Sequence, residues 1–202
     1  MTMVHKRFST LILATALVLS APVQGAGLKA VGVSVAVARS GLTVTPDQGW
    51  NKGARPGRLS ESWTLDGLTI NELTFYGGIA DNATLFREVD KTNAPLPRFS
   101  KTMLLPDIAQ LLETSYRVAL GTSLIKIDTI EPAQFAGTAG FRFTYSFTAG
   151  DEVKRLGEAR GAVINGALYM ATYEAPRIHY FERDLASFRK IADSAVLKQV
   201  KK

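Results

Sequence analysis

Phe141-Arg142-Phe143-Thr144-Tyr145-Ser146-Phe147-Thr148 alternates large aromatic side chains with polar ones without a break. Successive side chains of an extended strand leave on opposite faces, so Phe141, Phe143, Tyr145 and Phe147 line one face of a sheet. Four rings on one face require a covering layer, while the polar face tolerates water. The flanking segments continue the pattern. Leu124–Glu131, Glu152–Asn165 and Ala167–Tyr173 read as three further strands, and Asn165-Gly166 supplies the positive φ angles of a tight hairpin turn.

Upstream, Val33, Val35 and Val37 alternate with Ser34, Ala36 and Ala38, Ser40-Gly41 allows a turn, and Leu42 to Thr45 forms a second short strand closed by Pro46. Glu61–Leu65 and Leu68–Tyr76 flank Asp66-Gly67 and predict a hairpin. The apolar parity slips between Ile70 and Leu73, which predicts a bulge near Asn71-Glu72, and Gly77-Gly78 reads as a strand exit. Pro106–Leu120 predicts a helix with Ile108, Leu111, Leu112, Val118 and Ala119 on its apolar stripe, a Glu113–Arg117 pair on its wet side, and Gly121 as its stop. Phe181, Leu185, Phe188, Ile191 or Ala192, and Ala195 repeat at helical spacing near the end. Four strands, a helix, four strands and a helix define an α+β class: an antiparallel β-sheet of seven or eight strands flanked by helices.

The N-terminus fixes an expected compartment. His5, Lys6 and Arg7 precede an apolar run from Leu11 to Leu19, too short to span a bilayer, and Val23-Gln24-Gly25 offers small residues for cleavage. Residues 1–25 therefore read as a signal peptide, with residues 26–202 as a single α+β domain in the periplasm or secreted. The chain has no cysteine, so the mature form is expected to carry no lipid anchor and no disulfide, and it is expected to have no transmembrane segment. The sequence is 46% hydrophobic and 21% charged, a globular balance that must supply stability through a packed core. Lys6 and Arg7 account for part of the net charge of +6, and Lys198, Lys201 and Lys202 for more, as a basic tail that solubilises the terminus. No basic segment is interleaved with aromatics, so nucleic acid is not an expected partner.

Val44-Thr45-Pro46 followed by Gly49-Trp50, the central hairpins, and Leu168–Tyr173 leading into Phe188-Arg189-Lys190-Ile191-Ala192-Asp193-Ser194 together resemble the PsbP-like superfamily. The resemblance implies an antiparallel sheet sandwiched by helices. It also implies a binding or assembly role, because the group holds an extrinsic photosystem II protein, a Ran-binding import factor and exported bacterial proteins without known activity. It carries over no functional residues.

The chemistry-bearing residues are sparse. The two histidines are His5 in the leader and His179, which is too few for a zinc site without cysteine. His179 lies near Glu174, Glu182 and Asp184, yet no Gly-x-Ser-x-Gly elbow marks a nucleophile, and a surface position at the start of the last helix is expected for it. No phosphate loop or calcium loop is present, and no cofactor or metal is expected. Trp50 and Trp63 are expected to pack in the core rather than stack on a ligand.

The irregular stretch 77–103 is the expected place for a partner. Phe86, Leu96, Arg98 and Phe99 give it large side chains that a solvated linker would not need, and Pro95 and Pro97 stiffen the chain so as to present Arg98 and Phe99 outward. The same side chains would instead form a lid if they fold onto the sheet. These readings predict a non-catalytic accessory or binding protein of the bacterial envelope whose partner is another envelope protein or a small ligand. The alternative is an envelope hydrolase with a site assembled from residues distant in sequence.

Overall fold

The computed structural model describes residues 27–53 and 57–198. The expected leader 1–25, the cleavage point near Ala26, and Lys201 and Lys202 lie outside them. In chain order the elements are β1 (Val35–Ala36), β2 (Leu42–Val44), β3 (Asn51–Lys52), β4 (Ser60–Thr64), β5 (Glu72–Ile79), α1 (Leu105–Leu120), β6 (Ile125–Phe135), β7 (Thr138–Thr148), β8 (Lys154–Ile164), β9 (Ala167–Pro176), α2 (Tyr180–Asp193) and β10 (Val196–Leu197). Seven strands form one antiparallel sheet in the order β3-β4-β5-β9-β8-β7-β6, and β1-β2-β10 form a small second sheet.

Pleating sends alternate residues of the large sheet into two separate cores. On one face Phe141, Phe143, Tyr145 and Phe147 of β7 meet Ile108, Leu112 and Tyr116 of α1, as the aromatic alternation demands. On the other, Trp63, Phe75 and Tyr173 meet Phe188 and Ile191 of α2, with Trp50, Leu42 and Val44 sealing that layer. Both tryptophans are fully buried. Each large apolar side chain so buried contributes about 1.5–3 kcal/mol.

The β8–β9 hairpin turns where the sequence places it, with Asn165 and Gly166 at φ 52° and 77°, whereas β6 and β7 run on past the expected Glu131 and Phe141 to a tight turn at Ala136-Gly137, at φ 50° and 73°. Pro106 sits in the first turn of α1, Gly121 closes it in the left-handed region at φ 60°, and Arg117 pairs with Glu113 at 2.5 Å.

Four local expectations are corrected. The first strand is only Val35–Ala36, because Ala38 and Arg39 adopt φ 53° and 52° and turn the chain at once. Asp66-Gly67 is not a two-residue turn: the connection runs from Leu65 to Asn71, whose Oδ1 accepts hydrogen bonds from the Leu65 and Asp66 amides and the Thr64 hydroxyl. The parity slip marks that loop, and the register irregularity falls instead at Gly77/Ile79, where Gly78 takes φ 92° inside β5 rather than ending it. On α1 the buried stripe ends at Ser115 and Tyr116, with Val118 only partly buried and Ala119 exposed, because the last turn overhangs a cavity instead of the sheet.

Candidate functional site

Beyond Ile79 the chain leaves the sheet and folds back over the α1 face. The Asn82 amide donates to the Phe99 carbonyl and the Phe99 amide to the Ala83 carbonyl, both at 2.8 Å, so residues 82–83 and 97–99 run as an improvised ladder. Alternation along that ladder turns Arg98 to solvent and Phe99 inward. Phe99 is 1% exposed and Leu96 7%, so both hold the stretch down as a lid, which corrects the expectation that Phe99 faces outward. Arg98 remains exposed, bonding the Glu88 carboxylate at 3.1 and 3.2 Å and the Asn82 carbonyl at 2.9 Å. Phe86 is partly buried, edge-on to Tyr76 and Tyr116 with ring centroids 6.3 and 5.5 Å away.

Phe86 separates two concavities of opposite character. Outside it lies an open groove of about 910 Å³ running from Gly57–Leu59 to Arg98. Arg58, Arg87, Lys91 and Arg98 line it with Glu88 as the acidic member, so its potential is positive. Gly57 is required at its floor, where a Cβ would lie 2.8 Å from the Leu85 carbonyl oxygen.

Inside Phe86 lies a cavity of about 360 Å³ between the last turn of α1 and the β5–β9 pair, lined by Glu72, Thr74, Tyr76, Phe86, Tyr116 and Glu174 among others. Glu72 and Glu174 stand directly opposite across the ladder, and the row continues through Gly157 of β8 to Tyr145 of β7. A Cβ at Gly157 would lie 2.2 Å from the Tyr145 ring, so its absence lets that ring cross β8 and reach Glu174. Tyr116 and Tyr145 donate to Glu174 Oε2 at 2.7 and 3.2 Å, and Ser62 and Thr74 donate to Glu72 Oε1 at 2.5 and 3.0 Å. Burial, then the neighbouring Glu72 charge, pushes Glu174 up to about 7 against the pull of both tyrosine hydroxyls and of Arg155. Burial and the Glu174 charge raise Tyr76, Tyr116 and Tyr145 well above the usual phenol range. Arg155 approaches from below, but its guanidinium is held by Asp151 at 2.6 and 2.9 Å and by the Thr69 carbonyl at 3.1 Å.

Of the sequence-predicted binding residues, Phe86 and Arg98 line the groove, while Leu96 and Phe99 lie beneath the surface. Reading from sequence missed Arg58, Arg87 and Lys91, and it missed the Glu72–Glu174 pair. The available signal for the pair was a charged residue closing the aromatic strand Leu168–Tyr173. His179 is exposed at the start of α2, and no cluster of three or more metal-ligating side chains occurs among the described residues.

No protein-family model matches this chain, and no curated protein matches it. Solved structures do. A cyanobacterial PsbP (CyanoP) from Synechocystis sp. superposes with a TM-score of 0.55 at 15% identity, covering 88% of this chain and 96% of that one. A protein from Bacteroides thetaiotaomicron aligns at 7% identity and TM-score 0.47 over 80% of this chain and 47% of its own. LpqN, involved in cell envelope biogenesis of Mycobacterium tuberculosis, aligns at 11% identity and TM-score 0.40 over 78% and 83%. The fold of this chain is PsbP-like: an α+β sandwich on an antiparallel sheet. No helix among the described residues is long and apolar enough to cross a membrane.

Proposed function

We propose that this chain is an exported, non-catalytic accessory protein of the bacterial envelope that binds an acidic partner in the groove of the 80–98 segment. The groove carries the reading: Arg58, Arg87, Lys91 and Arg98 converge on one open surface around a single acid, Glu88. The basic leader and the missing cysteine support export without a lipid. Leu96 and Phe99 serve the same role indirectly by fixing the segment on the sheet, which lowers the ordering entropy lost on association. The test is recovery of partners from the native envelope with wild type and with Arg58→Glu/Arg87→Glu/Lys91→Glu. The triple variant should lose an acidic partner, whose wild-type affinity should fall with salt, at a nearly unchanged melting temperature. A partner retained in full by the variant would refute the groove.

The hydrolase alternative draws on one observation, a carboxyl group poised near neutrality beside a second carboxylate. A hydrolytic activity abolished by Glu174→Gln in a folded protein would replace the accessory reading.

A further inference from the structure

Placing two carboxylates directly opposite across a ladder is unfavourable, since like charges in such pairs repel at close range. The fold nevertheless holds Glu72 and Glu174 in that arrangement, and the groups that bond them are the hydroxyls of Ser62, Thr74, Tyr116 and Tyr145, which orient a carboxylate without neutralising it. The last carbonyls of α1 add negative potential at the same end of the cavity. Arg155 is engaged by Asp151, and Arg87, exposed at the mouth, faces the basic groove as well.

The second observation is the shape of the wall. Tyr76, Phe86 and Tyr116 line a space of about 360 Å³, with the Phe86 ring inclined at 67° to Tyr76 and at 63° to Tyr116, so three aromatic rings contribute to its wall. Aromatic faces attract a cation through their quadrupole, and ammonium groups bearing alkyl substituents also fill the apolar volume. A hard metal ion favours three or more charged or metal-ligating side chains, and no such group gathers among the described residues, while Tyr76, Phe86, Val89, Tyr116, Ala119 and Leu120 give the wall ring and methyl surface.

We propose that the cavity between the end of α1 and the β5–β9 pair binds a small organic ammonium ion, with Glu72 and Glu174 supplying the counter-charge and Tyr76, Phe86 and Tyr116 the aromatic box. This site adjoins the basic groove, sharing Phe86 and Arg87 with it, but its counter-charge comes from Glu72 and Glu174, which the groove lacks. Ionising Glu174 doubles the counter-charge that Glu72 offers alone, so binding favours the charge that the empty cavity suppresses and releases a proton.

The experiment titrates the exported protein with choline by calorimetry at pH 8 and pH 6. Saturable binding is expected at pH 8 and about tenfold weaker binding at pH 6, following the ionisation of one group with a midpoint near 7. Glu174→Gln should weaken choline at least tenfold and flatten the pH dependence. Phe86→Leu, on the lid rather than the sheet, should weaken it with the melting temperature held. A second arm replaces choline with phosphatidylcholine vesicles: binding to choline alone assigns a free solute, and binding to both assigns a headgroup. Failure of folded wild type to bind choline at pH 8, choline binding unmoved by both variants, or calcium occupying the cavity undisplaced by choline would each overturn the proposal.

Discussion

The two faces of the seven-stranded sheet treat their inward-facing acids differently. On the α2 face each has a cation: Glu61 meets Lys29 at 3.0 Å and Lys52 at 3.3 Å, Glu158 meets Arg189 at 2.6 Å, and Asp184 meets Arg183 at 2.6 Å. Burial there raises Glu61, but the Trp63 indole, Lys29 and Lys52 outweigh it and bring it below the usual carboxylate range. On the α1 face the partly buried Glu72 and Glu174 receive hydroxyls, and for Glu174 burial outweighs them. One face is therefore closed electrostatically and packed through, whereas the other keeps an uncompensated charge, a cavity and a lid. Within one sheet, the partner supplied to a buried carboxylate decides whether it consolidates the fold or stays available.

The comparison can be broken at four places. The largest effect is expected at the lid. Phe99→Ser removes a ring that is 1% exposed and should cost about 3–5 kcal/mol in denaturant unfolding. A cost under about 1 kcal/mol would mean that the α1 face does not depend on its cover.

Next comes Arg189→Ala on the closed face. It strands Glu158, which is fully buried, and should cost about 3 kcal/mol, largely restored by adding Glu158→Leu. If the single change were neutral, cation pairing would not be what closes the α2 face.

Glu174→Gln should act in the opposite direction. The folded pKa of about 7 lies above the ordinary 4.5, so the folded chain holds the extra proton between these values. The stability tied to that proton is fully present below the unfolded pKa and is lost as pH rises through the folded one. The amide keeps an acceptor for Tyr116 and Tyr145 without the charge, so the variant should gain about 2 kcal/mol at pH 8, after allowance for residual exposure, and almost nothing at pH 4.5. Thermal melts at the two pH values check it, and an equal gain at both would remove the titration from the account.

The smallest change is His179→Gly. His179 is exposed and holds φ 70° at the start of α2, so glycine should gain up to about 1 kcal/mol by relieving the backbone, with ligand binding unaltered. A loss of binding would tie the α2 face to the site.

What could be read in advance follows the range of the interactions. The β6–β9 meander was legible because period-two alternation at Phe141–Phe147 and the Asn165-Gly166 turn are encoded within a few neighbouring residues. Asp66-Gly67 misled because Asn71, not the dipeptide, ties that loop with its side-chain amide. The site was largely illegible. Glu72 and Glu174 belong to different halves of the chain and meet only when β5 pairs with β9, and each alone looks like the polar member of an alternating strand. Arg58 and Arg98 likewise come together only when the lid folds back, and inward against outward at Leu96–Phe99 was set by pairing with Asn82 and Ala83.

The β5–β9 pairing also sets an order of assembly. The β6–β9 meander closes through short hairpins, whereas β5 has β4 as a sheet neighbour from its own half and must wait for residues 167–174 to complete its other side. The β2–β10 contact spans 153 residues, so its loop-closure entropy is larger still. Loop-closure entropy makes such distant pairings slow, so an early β4–β5 hairpin carries Trp63, Leu73 and Phe75 with no layer to receive them. As the chain folds, that hairpin is the segment most in need of a chaperone, and refolding yield should fall with protein concentration for that reason.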